Sequence, residues 1–208
     1  MSCKVIAALG DSITNGYWDE TSAGWFGRLA AKISTERPKS FGFHNLSMDG
    51  DRISDAYHRL ASEGLSREID ILIINIGGND LIRSPNSDSQ MDSSPHLRAE
   101  YWYKLLDLAN KNIPQIIVLD ILPRYKDDEV GRGWFDAPLH EFNYDRILYN
   151  EQIAKICEEK CIPFIQRYDR WAPLDLSGLY EDFVHPNGKG HQLIADEVYE
   201  ELTKLNIL

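Results

Sequence analysis

Five residues of this chain have side chains or backbone suited to acyl transfer: Ser12, Gly50, Asn79, Asp182 and His185. Ser12 is a candidate nucleophile and His185 a candidate base. Asp182, three residues before His185, is a carboxylate that can hold the imidazole by one nitrogen while the other faces Ser12. Asn79 supplies a side-chain amide, and Gly50 a backbone that can approach a ligand closely. Each is ordinary alone, since a serine after a strand is usually a cap or turn residue. Their meaning depends on what gathers them.

The elements that must position them can be read from periodicity. Apolar runs at residues 4–9, 41–46, 69–76, 115–121 and 162–165 have the length of strands. The third and fourth are continuous rather than alternating, as in strands covered on both faces of a parallel sheet. Helical spacing fills the gaps: Trp25, Leu29 and Ile33; Ile53, Tyr57 and Leu60; Tyr101, Leu105 and Leu108; Ile147, Tyr149, Ile153 and Ile156; Leu193, Ile194, Val198 and Leu202. Strand–helix alternation predicts a doubly wound α/β sandwich forming one domain over residues 1–208. Gly10-Asp11-Ser12 follows the first strand, Asp49-Gly50 the second and Gly77-Gly78-Asn79-Asp80 the third. Asp182-Phe183-Val184-His185-Pro186 comes after the fifth, past a connecting segment. In a parallel sheet all four blocks meet at one edge, where ligands bind. Two polar insertions, 83–95 and 123–143, are expected as loops, the second leaving from that same edge.

Composition limits the alternatives. The 208 residues carry 22 Lys and Arg against 33 Asp and Glu, a net charge of −11, which opposes binding to nucleic acid or anionic membranes. No apolar run reaches the ~18 residues of a membrane span, so no integral membrane association is expected. Three sparse cysteines and no signal-peptide pattern near the first residue point to the cytoplasm. Cys157 and Cys161 lack the two further ligands a metal site needs. His191, six residues after His185, is expected to pack or face solvent rather than ligate a metal. No cofactor is expected, and oligomeric state is left open.

Two other chemistries fit less well. The elbow of α/β-hydrolases requires Gly-x-Ser-x-Gly, and Thr14 occupies its last position. A flavodoxin-like binder of flavin or nucleotide would cradle phosphate after the first strand, where Asp11 would repel it. A non-catalytic module on the same fold would have no need to retain every chemical group.

Gly10-Asp11-Ser12-Ile13, Gly50, Gly77-Gly78-Asn79-Asp80 and Asp182-x-x-His185, in this order, resemble the four blocks of the SGNH hydrolases, the GDSL-type esterases and lipases. The resemblance covers nearly the whole chain, with Ile13 where Leu is usual. It implies a three-layer α/β/α sandwich with a five-stranded parallel sheet, flavodoxin-like in outline, and no metal. It implies Ser12 as nucleophile, His185 as general base and Asp182 as its orienter. The oxyanion hole would be the Ser12 and Gly50 N–H groups with the Asn79 amide. The substrate expected is a small-molecule carboxylic ester with a short acyl chain, cleaved through an acyl-enzyme. Lysophospholipids, thioesters and O-acetylated carbohydrates are the alternatives within the family. Asp11, Trp18 and Trp134 are the candidate substrate contacts.

Overall fold

Each of the five apolar runs becomes a strand of one parallel sheet in the computed structural model, which describes residues 3–132 and 137–208 (the backbone alone over 128–132). In chain order, β1 (Lys4–Gly10) leads into a one-turn helix, α1 (Ser12–Asn15), and then α2 (Gly24–Glu36). β2 (Phe41–Asn45) and α3 (Ile53–Arg59) follow, then β3 (Ile71–Asn75), α4 (Pro95–Asn112) and β4 (Gln115–Leu119). An antiparallel hairpin, β5 (Asp128–Arg132) and β6 (Pro138–Glu141), precedes α5 (Asn143–Glu159). The short β7 (Phe164–Ile165), α6 (Tyr168–Trp171) and α7 (Gly188–Lys204) complete the chain.

The strand order is β2-β1-β3-β4-β7, all parallel. The chain leaves β1 for β2 on one side, then crosses back to β3 on the other. The edge beyond the carboxyl ends of β1 and β3 is therefore the topological switch point, where loops diverge and leave a crevice. Ser12 follows β1 and Asn79 follows β3, so the sheet order alone aims both into that crevice.

Alternate strand residues supply two cores. Ala7, Leu9, Leu72, Ile74, Ile116 and Val118 pack under α3, α4 and α5, around Trp102, Leu105, Tyr149 and Ile153. Ile6, Ala8, Ile71, Ile73, Ile117 and Leu119 pack under α2 and α7, around Trp25, Leu29, Ile194 and Val198. Burial on both faces explains why these strands read as unbroken apolar runs. Each fully buried large side chain contributes ~1.5–3 kcal/mol.

Two expectations need correction. Part of the 123–143 segment is the β5–β6 hairpin rather than loop. Its strands carry no clean alternation, and β6 is fixed by pairing, with Arg83 bridging to His140. Ile147 is 41% exposed although its spacing put it on an inner stripe. The buried face of α5 instead runs through Asp145, Arg146, Tyr149, Asn150 and Ile153. The segment after β1 forms a helical turn: the Asp11 carboxylate accepts the Ile13 N–H at its start, and Gly16 ends it in the left-handed region.

Candidate active site

Ser12 stands at the first position of α1, where a helix leaves N–H groups uncommitted. Its hydroxyl lies 3.0 Å from His185 Nε2. His185 Nδ1 lies 2.8 Å from Asp182 Oδ2. Asp182 Oδ1 accepts the backbone N–H groups of Val184 and His185, each at 2.7 Å. With the imidazole proton on Nδ1 and donated to Asp182, Nε2 is free to take the Ser12 proton. Burial would raise the Asp182 carboxyl. The hydrogen bonds from the His185 ring, His185 N–H and Val184 N–H outweigh it and bring the carboxyl down to about 2. Asp182 is therefore charged at every pH where an imidazole base works.

The two candidate donors, Gly50 and Asn79, follow the second and third strands. Gly50 has φ +81°, and a Cβ there would meet no heavy atom within 4 Å, so its backbone faces open space. Asn79 Nδ2 donates to the Asp51 carbonyl at 2.9 Å, which leaves a second amide N–H for another acceptor. Asp80 takes the Ile53 N–H at 2.9 Å and so ties this turn to the start of α3. Gly77 is required by its surroundings: φ is +127°, and a Cβ would sit 2.1 Å from the Tyr149 hydroxyl.

A cleft of about 140 Å3 joins the serine, the imidazole and the carboxylate to Asn79, while Gly50 lies outside its lining. Ser12, Asn79, Asp182 and His185 line it, with Ile13, Ile82, Leu139 and Val184 as apolar walls. Asp11, Glu141 and Arg146 add charge to the lining. Arg146 donates to Glu141 Oε2 at 2.5 Å and to the Leu122 carbonyl at 2.8 Å. Asp11 is pushed up to about 6, first by burial, with the Ile13 N–H, His185 and Arg146 acting against it.

Of the candidate substrate contacts, Asp11 lines this cleft. Trp18 lies beside it and donates its indole N–H to Asp182 Oδ2 at 3.0 Å. Trp134 lies outside the described residues. His191 is buried against the Tyr17 carbonyl. Among the described residues no cluster of three or more His, Cys, Asp or Glu side chains has metal-site geometry. No helix among them is long and apolar enough to cross a membrane.

Sequence reasoning missed Arg146 and Glu141. The signal was present: Arg146, Tyr149, Asn150 and Ile153 share one helical stripe, so a charged residue sat on an inward face. Tyr17 was also missed; its ring centroid is 4.8 Å from that of His185.

A parallel sheet of order β2-β1-β3-β4-β7 with serine, imidazole and carboxylate at its switch point defines a hydrolase of the SGNH fold class. The GDSL-like lipase/acylhydrolase family matches residues 8–193, and the chain belongs to it, among the carboxylic ester hydrolases. It is 26% identical to the uncharacterized protein YpmR of Bacillus subtilis (strain 168), over 96% of this chain and 82% of that protein. Its fold is similar to that of the psychrotrophic esterase EstA from Pseudoalteromonas, with a TM-score of 0.71 and 20% identity over 99% and 100% of the two chains. It is likewise similar to an acetylxylan esterase from Geobacillus stearothermophilus, with a TM-score of 0.74 and 17% identity over 97% and 96%.

Proposed function

We propose that this protein is a serine esterase for short-acyl carboxylic esters, working through an acyl-enzyme, with residues 1–208 as one catalytic domain. The observation that carries the reading is the unbroken chain Ser12 Oγ, His185, Asp182 at 3.0 and 2.8 Å. In the first half-reaction Ser12 Oγ attacks the ester carbonyl carbon as His185 Nε2 takes its proton. Charge develops on the carbonyl oxygen, which the Ser12 and Gly50 N–H groups and the Asn79 amide receive. His185 returns the proton to the departing alcohol. Water then repeats the sequence on the acyl-enzyme and frees the acid. Asp182 stays ionised throughout and holds the imidazolium.

The short-acyl preference is supported by the cleft of about 140 Å3, whose lining joins apolar walls to Asp11, Glu141 and Arg146. A long chain would have to lie against those charged groups, which offer it no apolar contact. Two comparison proteins carry the same preference in their names, an acetylxylan esterase and an acetyl xylan esterase. Catalytic variants of the former are substituted at a serine and at a histidine. A second reading, an O-acetylated carbohydrate as substrate, draws on the open groove next to the cleft, lined by Tyr17, Trp18, Asp19, Glu20 and Glu181. Rings beside carboxylates suit a sugar face and its hydroxyls. Sparse, unpaired cysteines support a cytoplasmic setting.

The test is a p-nitrophenyl ester series on wild type and Ser12→Ala. Each added methylene gains ~0.8 kcal/mol only where a pocket can hold it, so rates should peak at short chains and fall well before about eight carbons. Ser12→Ala should lose turnover and fluorophosphonate labelling together. A rate that climbs steadily with chain length would refute the short-acyl preference. An unlabelled wild type would refute the esterase.

A further inference from the structure

Trp18 does not behave as a simple wall. Its indole N–H reaches Asp182 Oδ2 at 3.0 Å, the same oxygen that accepts the hydrogen bond from His185 Nδ1 at 2.8 Å. Oδ1 is occupied by the Val184 and His185 N–H groups. The carboxylate thus accepts four hydrogen bonds, and Trp18 makes the one that comes from outside its own loop. The donor is 164 residues away in sequence. Trp18 also holds φ +62°, a left-handed conformation that bulky residues rarely adopt, and its side chain stays 54% exposed. Trp18 is the third residue of a turn that the Asp19 N–H closes onto the Gly16 carbonyl at 3.0 Å, and this turn carries its indole to Asp182.

The neighbours of Trp18 act in the same direction. The Tyr17 N–H donates to the Ser12 carbonyl at 2.9 Å, so the segment is rooted on the nucleophile's own turn. The Tyr17 ring leans on the His185 ring with centroids 4.8 Å apart and planes at 50°. Glu20 accepts the Gly188 N–H at 3.0 Å, just past the His185 block. One short segment therefore holds the Asp182–His185 loop against Ser12 from outside.

We propose that Trp18 is a positioning residue: its indole N–H fixes Asp182, and through Asp182 the orientation and basicity of His185. This rests on the esterase reading above. The N–H takes a share of the carboxylate's charge, so removing it leaves more charge facing the imidazolium. The imidazole then holds its proton to higher pH, and it is oriented less sharply for Ser12.

The test is Trp18→Phe, which keeps an exposed ring and deletes the N–H; Trp18→Tyr serves as a second variant. With p-nitrophenyl acetate, kcat should fall about tenfold at unchanged KM, the loss expected when only transition-state alignment suffers. The acid limb of the kcat/KM profile should move up by about half a pH unit. The downfield proton NMR signal of His185 Nδ1–H should shift. If instead KM rises while kcat and the acid limb stay put, Trp18 is a substrate contact and the proposal is overturned. The NMR signal separates this from failure of the esterase reading. A wild type without turnover whose signal still responds to Trp18→Phe would refute the esterase alone. A signal indifferent to the substitution would refute the positioning role whatever the turnover.

Discussion

Asn79 gives one amide N–H to the carbonyl of Asp51 across 2.9 Å, and Asp80 beside it takes the Ile53 N–H. The turn after β3 is thereby locked onto the turn after β2, and the second Asn79 N–H keeps a fixed direction. Asn79→Ala should lower kcat by about 10²–10³, the range for losing one oxyanion donor, with KM nearly unchanged. Asn79→Asp should be at least as poor, because a carboxylate repels the charge it would need to receive. Steady-state kinetics on the acetate ester checks both, and a loss expressed in KM alone would remove Asn79 from the oxyanion hole.

Asp11 sets a pH dependence. Burial, against the Ile13 N–H, His185 and Arg146, holds it at about 6 instead of 3.8. A carboxyl raised on folding is neutral in both states below 3.8, so it costs nothing there. Between 3.8 and about 6 the unfolded chain ionises this group while the folded state keeps it protonated, so stability falls across that window and levels off above it. Asp11→Asn keeps an acceptor for Ile13 and removes that cost. It should be more stable than wild type by up to about 3 kcal/mol above pH 7, the gain vanishing near pH 4. Its acid limb of kcat/KM should also move to lower pH, since an anion that favours the imidazolium is gone. Urea unfolding at pH 4, 5.5 and 7.5 measures the first effect; a gain independent of pH would contradict it.

Arg146 and Glu141 form a nearly dry ion pair beside the cleft, with side chains 1% and 4% exposed. Arg146→Ala leaves the Glu141 carboxylate to its longer contact with Arg124 Nε at 4.0 Å and should destabilise by about 3 kcal/mol. Arg146→Met with Glu141→Leu should recover only part of that, because the buried Arg124 also faces the Glu141 carboxylate, and should extend the accepted acyl chain. Melting temperatures and the ester series together test the pair; a double variant with the wild-type chain-length profile would show that the charges do not limit the acyl group.

Gly77 allows the Tyr149 ring to close over the turn that carries Asn79. Gly77→Ala combines a disfavoured φ of +127° with a Cβ 2.1 Å from the Tyr149 hydroxyl. A loss of roughly 2–4 kcal/mol is expected, with reduced kcat as Asn79 is displaced. Chemical denaturation decides it: a near-neutral substitution would mean that Tyr149 swings aside freely.

The sequence by itself determined the sheet and the order of its chemistry. Continuous runs such as Ile71–Asn75 are dictated by burial on both faces, and short-range apolar spacing is visible without coordinates. It also placed Ser12, Asn79, Asp182 and His185 each past a strand, because parallel strands share a direction and so share a carboxyl edge. The tertiary structure decided what lies between those positions. Asp145, Arg146 and Asn150 occupy an inward stripe that apolar counting skipped in favour of Ile147, since a charge can be buried when a partner such as Glu141 arrives from another element. The β5–β6 hairpin lacked alternation because its pairing, not its side-chain pattern, defines it. The bond from Trp18 to Asp182 spans 164 residues, and no local periodicity records a contact that exists only after the chain has closed on itself.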